Sequence, residues 1–269
     1  MIKKICAFSQ TYGNSRNELY RYLTNNKLSI DFRNEFDLNI YSFHNSDRDY
    51  IDTVKNKKYF QKLKNLEFKE YSDIGYTQVI RDVLYELLER GYEYFFYLQD
   101  DSFTYGIEYD FSDLIEFIKT NDFNILYLEA TGKELNNETI YYEKNDLKIY
   151  NTTTQDFFNR NGWAIDDGAQ IGKISYLLEH VYDDEYFSIG CIQKGESFLN
   201  SKISKLKLER LTTNIKLYRR YSIVGPNAQW DEDGERRMLN ERFSLPQFSF
   251  IKLGSKIIPR NVRNSRRRN

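Results

Sequence analysis

The chain has 269 residues, 40% of them hydrophobic, with 3 Pro and 13 Gly, enough for one large α/β domain or one domain with an appendage. Its net charge of −1 hides an asymmetry. The last 18 residues carry Lys252, Lys256, Arg260, Arg263 and Arg266 to Arg268 with no acid, and without these seven, 32 basic residues face 40 acidic ones. So acidic a body argues against specific nucleic-acid binding, no run of 18 apolar residues offers a membrane span, and Cys6 and Cys191 make no disulfide framework.

The opening "MIKKICAFSQ" has an apolar run too short for a signal peptide, so a reducing, cytoplasmic location is expected. "IKKICAFS" reads as a buried strand with Cys6 as a small core residue. Gln10 to Asn14 form a loop, and Ser15 with Glu18 makes a capping box that opens a helix through Leu19 and Leu23. "EFDLNIYSF" is a second strand that ends in the polar loop "HNSDRD". The lysine-rich stretch 55–64 reads as a surface helix and "LEFKEYS" as a third strand. Between Gly75 and Arg90, Ile80, Val83, Leu84, Leu87 and Leu88 make a helical stripe, which Gly91 ends.

Next, five of the six residues from Tyr94 to Gln99 are aromatic or aliphatic, and Asp100 and Asp101 follow side by side. A helix around Phe111 to Lys119 and a strand in "FNILYLEA" continue the alternation. That alternation predicts an open, mostly parallel α/β sheet with helices on both faces and a ligand site at the carboxyl strand ends. "ETIYYEKNDLKIYNT" reads as a hairpin. "NGWAIDDGAQIGKISYLLEHVY" reads as a polar loop running into a helix, and another helix starts near Ser197. The division expected is a domain over 1–254, with a nucleotide-binding half at 1–130 and an acceptor half at 131–254. A basic tail over 255–269 extends it, either as a solvated terminus or as a segment suited to an anionic surface.

Two adjacent carboxylates at a strand end have two readings. A solvated turn is one. The other is a site for Mn²⁺ or Mg²⁺, which take oxygen ligands and are often completed by phosphates and water. A metal bridging an acidic rim and an anionic nucleotide diphosphate fits the charge of the body.

Here the sequence resembles a known family. "YFFYLQDDSF" is similar to the strand and acidic motif of GT-A glycosyltransferases, especially those of family 2. "ICAFSQTYGNSRNELYRYL" looks like their first strand, nucleotide loop and first helix, and "NIYSFHNSD" like their second strand. "IGYTQVIRDVLYELLERGYEYFFYLQDD" follows the helix before the acidic strand. The resemblance covers residues 3 to about 130, and 160 to 205 loosely. It implies a GT-A (Rossmann-like) fold and a nucleotide-diphosphate sugar donor, UDP- or GDP-linked. It further implies a glycan, protein or lipid-linked acceptor, a divalent metal and inverting transfer. Thr11 and Tyr12 would line the base pocket, Asp47 would meet base or ribose, Asp100 the ribose and Asp101 the metal. The family has an Arg or Asn pair after the glycine matched by Gly75; Arg81 stands one place off and alone. Gln99 fills the earlier position of the acidic motif, and no His follows residue 180 to serve as a further ligand.

If Asp100 and Asp101 serve ribose and metal, an inverting transferase needs another carboxylate as base. "GESFLNSKI" looks like the family's acidic motif at a helix start, with Leu199 and Ile203 facing inward. A helix amino terminus favours the ionised form of Glu196. Glu196 then reads as the base or as a helix cap, with Asp167 in "WAIDDGAQIG" as the second choice. Asp166 and the loop residue Trp163 are placed at the acceptor, while Trp230 meets donor or acceptor or neither. "NAQWDEDGERR" is a solvated charge run or a late loop over the diphosphate. His44 and His180 are too few for a zinc site or a Ser-His-Asp triad, and His180, late in a helix, packs or caps. The competing readings are a catalytically idle GT-A scaffold that binds partners, and a sugar-nucleotide pyrophosphorylase. The latter wants a glycine-rich loop that "SQTYGNSR" lacks. A metal-dependent nuclease wants a basic body, which is absent.

Overall fold

The computed structural model describes residues 3–10, 26–71, 76–99, 102–104, 110–128, 139–156, 169–183, 201–215, 217–220, 249–253 and 256–260. β1 (Ile5–Gln10), β2 (Leu38–His44), β3 (Leu66–Tyr71) and β4 (Tyr94–Gln99) are parallel neighbours in the order β3-β2-β1-β4. Both faces of these strands are covered, which is why β1, β2 and β4 read as nearly unbroken apolar runs. Successive side chains go to opposite faces. Cys6, Phe8, Phe95 and Tyr97 meet Val79, Ile80, Val83, Leu84 and Leu87 of the helix Tyr76–Glu89. Ile5, Ala7, Phe96 and Leu98 meet Phe32 of α1 (Lys27–Arg33), and on the same face lie Leu114 and Phe117 of the helix Ser112–Thr120.

The crossover from β2 holds a 3-10 turn, Asn45–Asp47, then α2 (Arg48–Val54) and α3 (Lys58–Gln61). Two expectations change here. The polar loop after the second strand is largely helical, and the lysine-rich surface helix shrinks to one turn because Tyr59, Phe60 and Leu63 are buried against Tyr41. With Tyr76–Glu89 as α4 and Ser112–Thr120 as α5, the two long helices fall where the periodicity puts them. Gly91, at φ 77°, ends α4 in the left-handed conformation that a glycine adopts without strain.

The second half extends the sheet in the order β4, β9 (Gln170–Lys173), β6 (Ile125–Tyr127), β10 (Glu209–Thr213), β8 (Leu147–Thr153) and β7 (Thr139–Lys144). β5 (Ser102–Thr104) lies outside that sheet, and β6 (Ile125–Tyr127) within it. β7 (Thr139–Lys144) and β8 (Leu147–Thr153) make the expected hairpin, turning through Asn145 at φ 52°. β9 (Gln170–Lys173) is a strand the sequence reading does not contain. It runs antiparallel to both β4 and β6, and α6 (Ile174–His180) follows at once. β10 (Glu209–Thr213) lies parallel to β6 and antiparallel to β8. The open α/β sheet with helices on both faces is therefore present, wholly parallel in its first half and mixed in its second.

Two smaller sheets complete the described chain. β11 (Tyr218–Arg220) pairs with β5, and β12 (Ser249–Leu253) pairs with β13 (Lys256–Arg260). No helix among the described residues is long and apolar enough to cross a membrane.

Candidate functional site at the carboxyl strand ends

Because β1, β2, β3 and β4 are parallel, their carboxyl ends share one rim. Gln10 stands in register with Ser42 of β2 and Gln99 of β4, and Ser42 with Lys69 of β3. One rung below, Phe8 stands between Ile40 and Tyr97. The apolar core thus gives way to polar residues on the α4 face at the last residue of β1 and β4 and two residues before the end of β2 and β3. Ser42 and Gln10 are buried there, and the Ser42 hydroxyl has no hydrogen-bond partner among the described residues. Sequence reasoning missed both. The available signal was a polar residue in the inward phase of an otherwise apolar strand.

Asp47, expected at the base or ribose, is fully buried at the end of the 3-10 turn after β2. It occupies the N-cap position of α2 without making a side-chain cap bond. His44, one turn earlier, packs edge-on against Tyr71 at 5.4 Å. Arg81 lies on α4, half-buried, with its guanidinium 5.5 Å from the ring centre of Tyr85. Of the residues expected to hold donor, metal or acceptor or to act as base, Asp47 and Arg81 are the ones the structure describes. Thr11, Tyr12, Asp100, Asp101, Trp163, Asp166, Asp167 and Glu196 lie outside the described residues, as does Trp230. Ile203, expected to face inward from the helix after Glu196, is fully buried in the α4 face of the core. His180 packs on Tyr176 at 4.5 Å, the bland role expected of it.

The Asp100-Asp101 pair has a described strand on each side. Gln99 ends β4, Ser102 begins β5, and β5 is held by β11 from far downstream. β11 starts at Tyr218, which is buried against Phe32 and Phe96, with its hydroxyl 3.1 Å from that of Ser29. Burial pushes the Tyr218 hydroxyl up to about 12. Beside it lies Arg33, wholly buried, which donates from Nη1 to the Ser9 hydroxyl at 2.6 Å. Burial pulls its guanidinium down to about 10, with Tyr218 and Tyr41 opposing the shift. A cation is thus buried on the α1 face next to the ends of β1 and β4, the strands that lead into the site.

Among the described residues no group of three His, Cys, Asp or Glu side chains is placed to hold a metal ion.

The class this architecture defines is that of open α/β sheets, which take ligands beyond the carboxyl ends of their parallel strands. No protein-family profile matches the sequence, and no curated protein matches it. Among solved structures, the chain is similar to TarS of S. aureus, at 15% identity over 90% of this chain with a TM-score of 0.48. It is similar to a mannose-1-phosphate geranyltransferase from Thermus thermophilus, at 10% identity over 95% of this chain and 94% of the other, with a TM-score of 0.47. It is also similar to the glycosyltransferase GlyE in Streptococcus pneumoniae, at 9% identity over 91% of this chain with a TM-score of 0.44. This chain spans 44% of the TarS chain and 64% of the GlyE chain. Likenesses this distant carry no argument about activity, and the fold stands on its own strand order.

Proposed function

We propose that the chain is a glycosyltransferase of the GT-A type. It moves a sugar from a UDP- or GDP-linked donor to a hydroxyl of a glycan, protein or lipid-linked acceptor, with inversion. The observation that carries this reading is the strand order β2-β1-β4. It brings the carboxyl ends of three adjacent parallel strands, Gln10, His44 with the buried Asp47 beyond it, and Gln99, to one rim, and the reading puts Thr11 and the Asp100-Asp101 pair past those ends.

In this reading Thr11, Tyr12 and Asp47 hold the nucleoside, Asp100 bonds the ribose, and Asp101 is the protein's ligand to Mn²⁺ or Mg²⁺. The metal, when bound, neutralises diphosphate charge against the acidic rim. Trp163 and Asp166 face the acceptor. Glu196 takes the proton of the acceptor hydroxyl as that oxygen bonds the anomeric carbon and the nucleoside diphosphate departs, with Asp167 as the second choice.

Calorimetric titration of UDP- and GDP-sugars in the presence of Mn²⁺ tests the donor half. Wild type is expected to bind one class, Asp101→Ala to lose that binding, and Asp100→Asn to weaken it less. Equal affinity in wild type and Asp101→Ala would remove the metal assignment. For the base, Glu196→Gln should hold donor affinity within about twofold while transfer falls by roughly 10²-fold or more. Donor binding by wild type with transfer to no acceptor would favour the idle scaffold.

A further inference from the structure

β12 and β13 form a sheet of their own, hydrogen-bonded to no other described strand. The register sets Ile251 opposite Ile258, Leu253 opposite Lys256 and Lys252 opposite Ile257. Successive residues of a strand alternate between faces, and residues opposite one another share a face. Ile251, Ile258 and Leu253 therefore belong to one face of the ribbon, and Phe250 and Ile257 to the other. The two strands hold Lys252, Lys256 and Arg260 and no acidic residue, and Arg263 and Arg266 to Arg268 come next in the chain.

Two strands alone are marginal in water, so a hairpin with apolar positions on both faces needs a surrounding that is not one-sided. The boundary of a lipid bilayer is one: it takes apolar side chains toward the acyl region and meets basic ones with headgroup charge. A lone hairpin stays at headgroup level, where water still reaches its outer N–H and C=O groups. Charge decides the kind of bilayer. The last 18 residues carry seven basic groups and no acid, while 32 basic residues face 40 acidic ones in the rest of the chain. An anionic surface attracts the first and repels the second, so attachment runs through this end alone. Nucleic acid offers the same charge, but single strands are held by stacking on aromatic side chains. Residues 249–269 contain one aromatic, Phe250, against five Ile, Leu or Val.

We propose that the β12–β13 hairpin, with the arginines after it, binds the surface of an anionic lipid bilayer. Apolar contact and a polybasic segment are the two signals that together make peripheral attachment stable, and this end of the chain has both. Resting on the transferase reading, the attachment selects the lipid-linked acceptor, because it holds the protein at the surface where such an acceptor is anchored. The bilayer binding itself does not depend on that reading.

The test sediments the full chain with vesicles, either of phosphatidylcholine alone or of phosphatidylcholine and phosphatidylglycerol in equal parts. Wild type is expected to bind the mixed vesicles roughly tenfold or more tightly than the neutral ones, and to be released by added salt. Replacing Arg266, Arg267 and Arg268 together by Gln should weaken mixed-vesicle binding by roughly tenfold or more. Ile251→Ser combined with Ile258→Ser removes one apolar rung and should weaken it about fivefold or more, with the Tm of the free protein unchanged. The arginine variant carries the test where the serine variant does not fold. No sedimentation of wild type with mixed vesicles, equal affinity for both compositions, or an unchanged affinity in the arginine variant would overturn the proposal. So would a lowered Tm with full vesicle affinity in the serine variant, which would put the hairpin against its own domain. Tighter binding to single-stranded polyuridylate than to mixed vesicles would assign the charges to nucleic acid instead. Nucleotide-sugar titration of the same samples separates the two readings: its failure in wild type, with sedimentation intact, sinks the transferase and leaves the bilayer binding standing.

Discussion

Arg33 of α1 and Ser9 of β1 are joined by a buried 2.6 Å hydrogen bond, guanidinium to hydroxyl, one residue before the strand end. Ser9→Ala deletes the acceptor and leaves a desolvated N–H facing a methyl group. The expected loss is about 1–3 kcal/mol, read as a lower urea midpoint with an unchanged slope. An unaltered midpoint would mean that the bond adds nothing the rest of the Arg33 environment does not supply.

Gly172 of β9 permits α6 to sit against the sheet. A Cβ at that position would lie 2.6 Å from Leu177 Cδ1 and 2.9 Å from its Cγ, and Leu177 is itself buried. Gly172→Ala is expected to cost about 1–3 kcal/mol through overpacking. Adding Leu177→Ala should make the pair less destabilised than the sum of the single variants. Strict additivity in that cycle would place the cost elsewhere.

Tyr218 gives a pH dependence of defined sign. Its hydroxyl is raised by burial from 10.0 to about 12. The unfolded chain therefore releases this proton first, so the contribution is fully present below pH 10 and is lost as pH rises from there to about 12. The steepest slope is about 1.4 kcal/mol per pH unit. Arg33, drawn down to about 10, acts in the opposite sense over the same range. The readout is accordingly the difference between wild type and Tyr218→Phe in denaturant unfolding at several alkaline pH values. That difference should shrink as pH rises through 10 to 12; a constant difference would show that the buried hydroxyl does not titrate as described.

Ser42 carries the last prediction. Its hydroxyl is buried at the rim beside Gln10 with no partner among the described residues. Ser42→Ala should leave stability unchanged or slightly higher, because no bond is broken. Donor affinity should fall by roughly threefold to tenfold, the worth of one hydrogen bond of about 1 kcal/mol. Full donor affinity in this variant would make Ser42 a core residue only.

The first half was legible because its strands are buried on both faces and its helix α4 is long and one-sided. Ile80, Val83, Leu84 and Leu87 all reach the core. β9 escaped because four residues containing Gly172 carry no period of their own, and their pairing with β4 and β6 supplies what the local sequence does not. β10 is partly readable from its own alternation. Leu206, Leu208, Arg210 and Thr212 alternate with Lys207, Glu209 and Leu211, but an inward-facing arginine broke the apolar pattern that marks a strand. Of the site, the strand ends were visible from the sequence, whereas buried polar residues such as Ser42 and Gln10 gain meaning only from the register of their neighbours.

The pairing of β5 with β11 constrains how the molecule is made. Thr104 finds Tyr218 as its partner, so the strand that follows the Asp100-Asp101 pair stays unpaired until the whole nine-stranded sheet has been synthesised. Closing so long a loop is entropically unfavourable and belongs to the late, slow part of folding. β9 adds a second delay, because it must enter between β4 and β6 after both exist. A nascent chain holding only β1 to β4 has its parallel strands but lacks both clasps. Binding competence should therefore emerge abruptly and late on the ribosome, as β11 leaves the exit tunnel, and not stepwise with the nucleotide-facing strands.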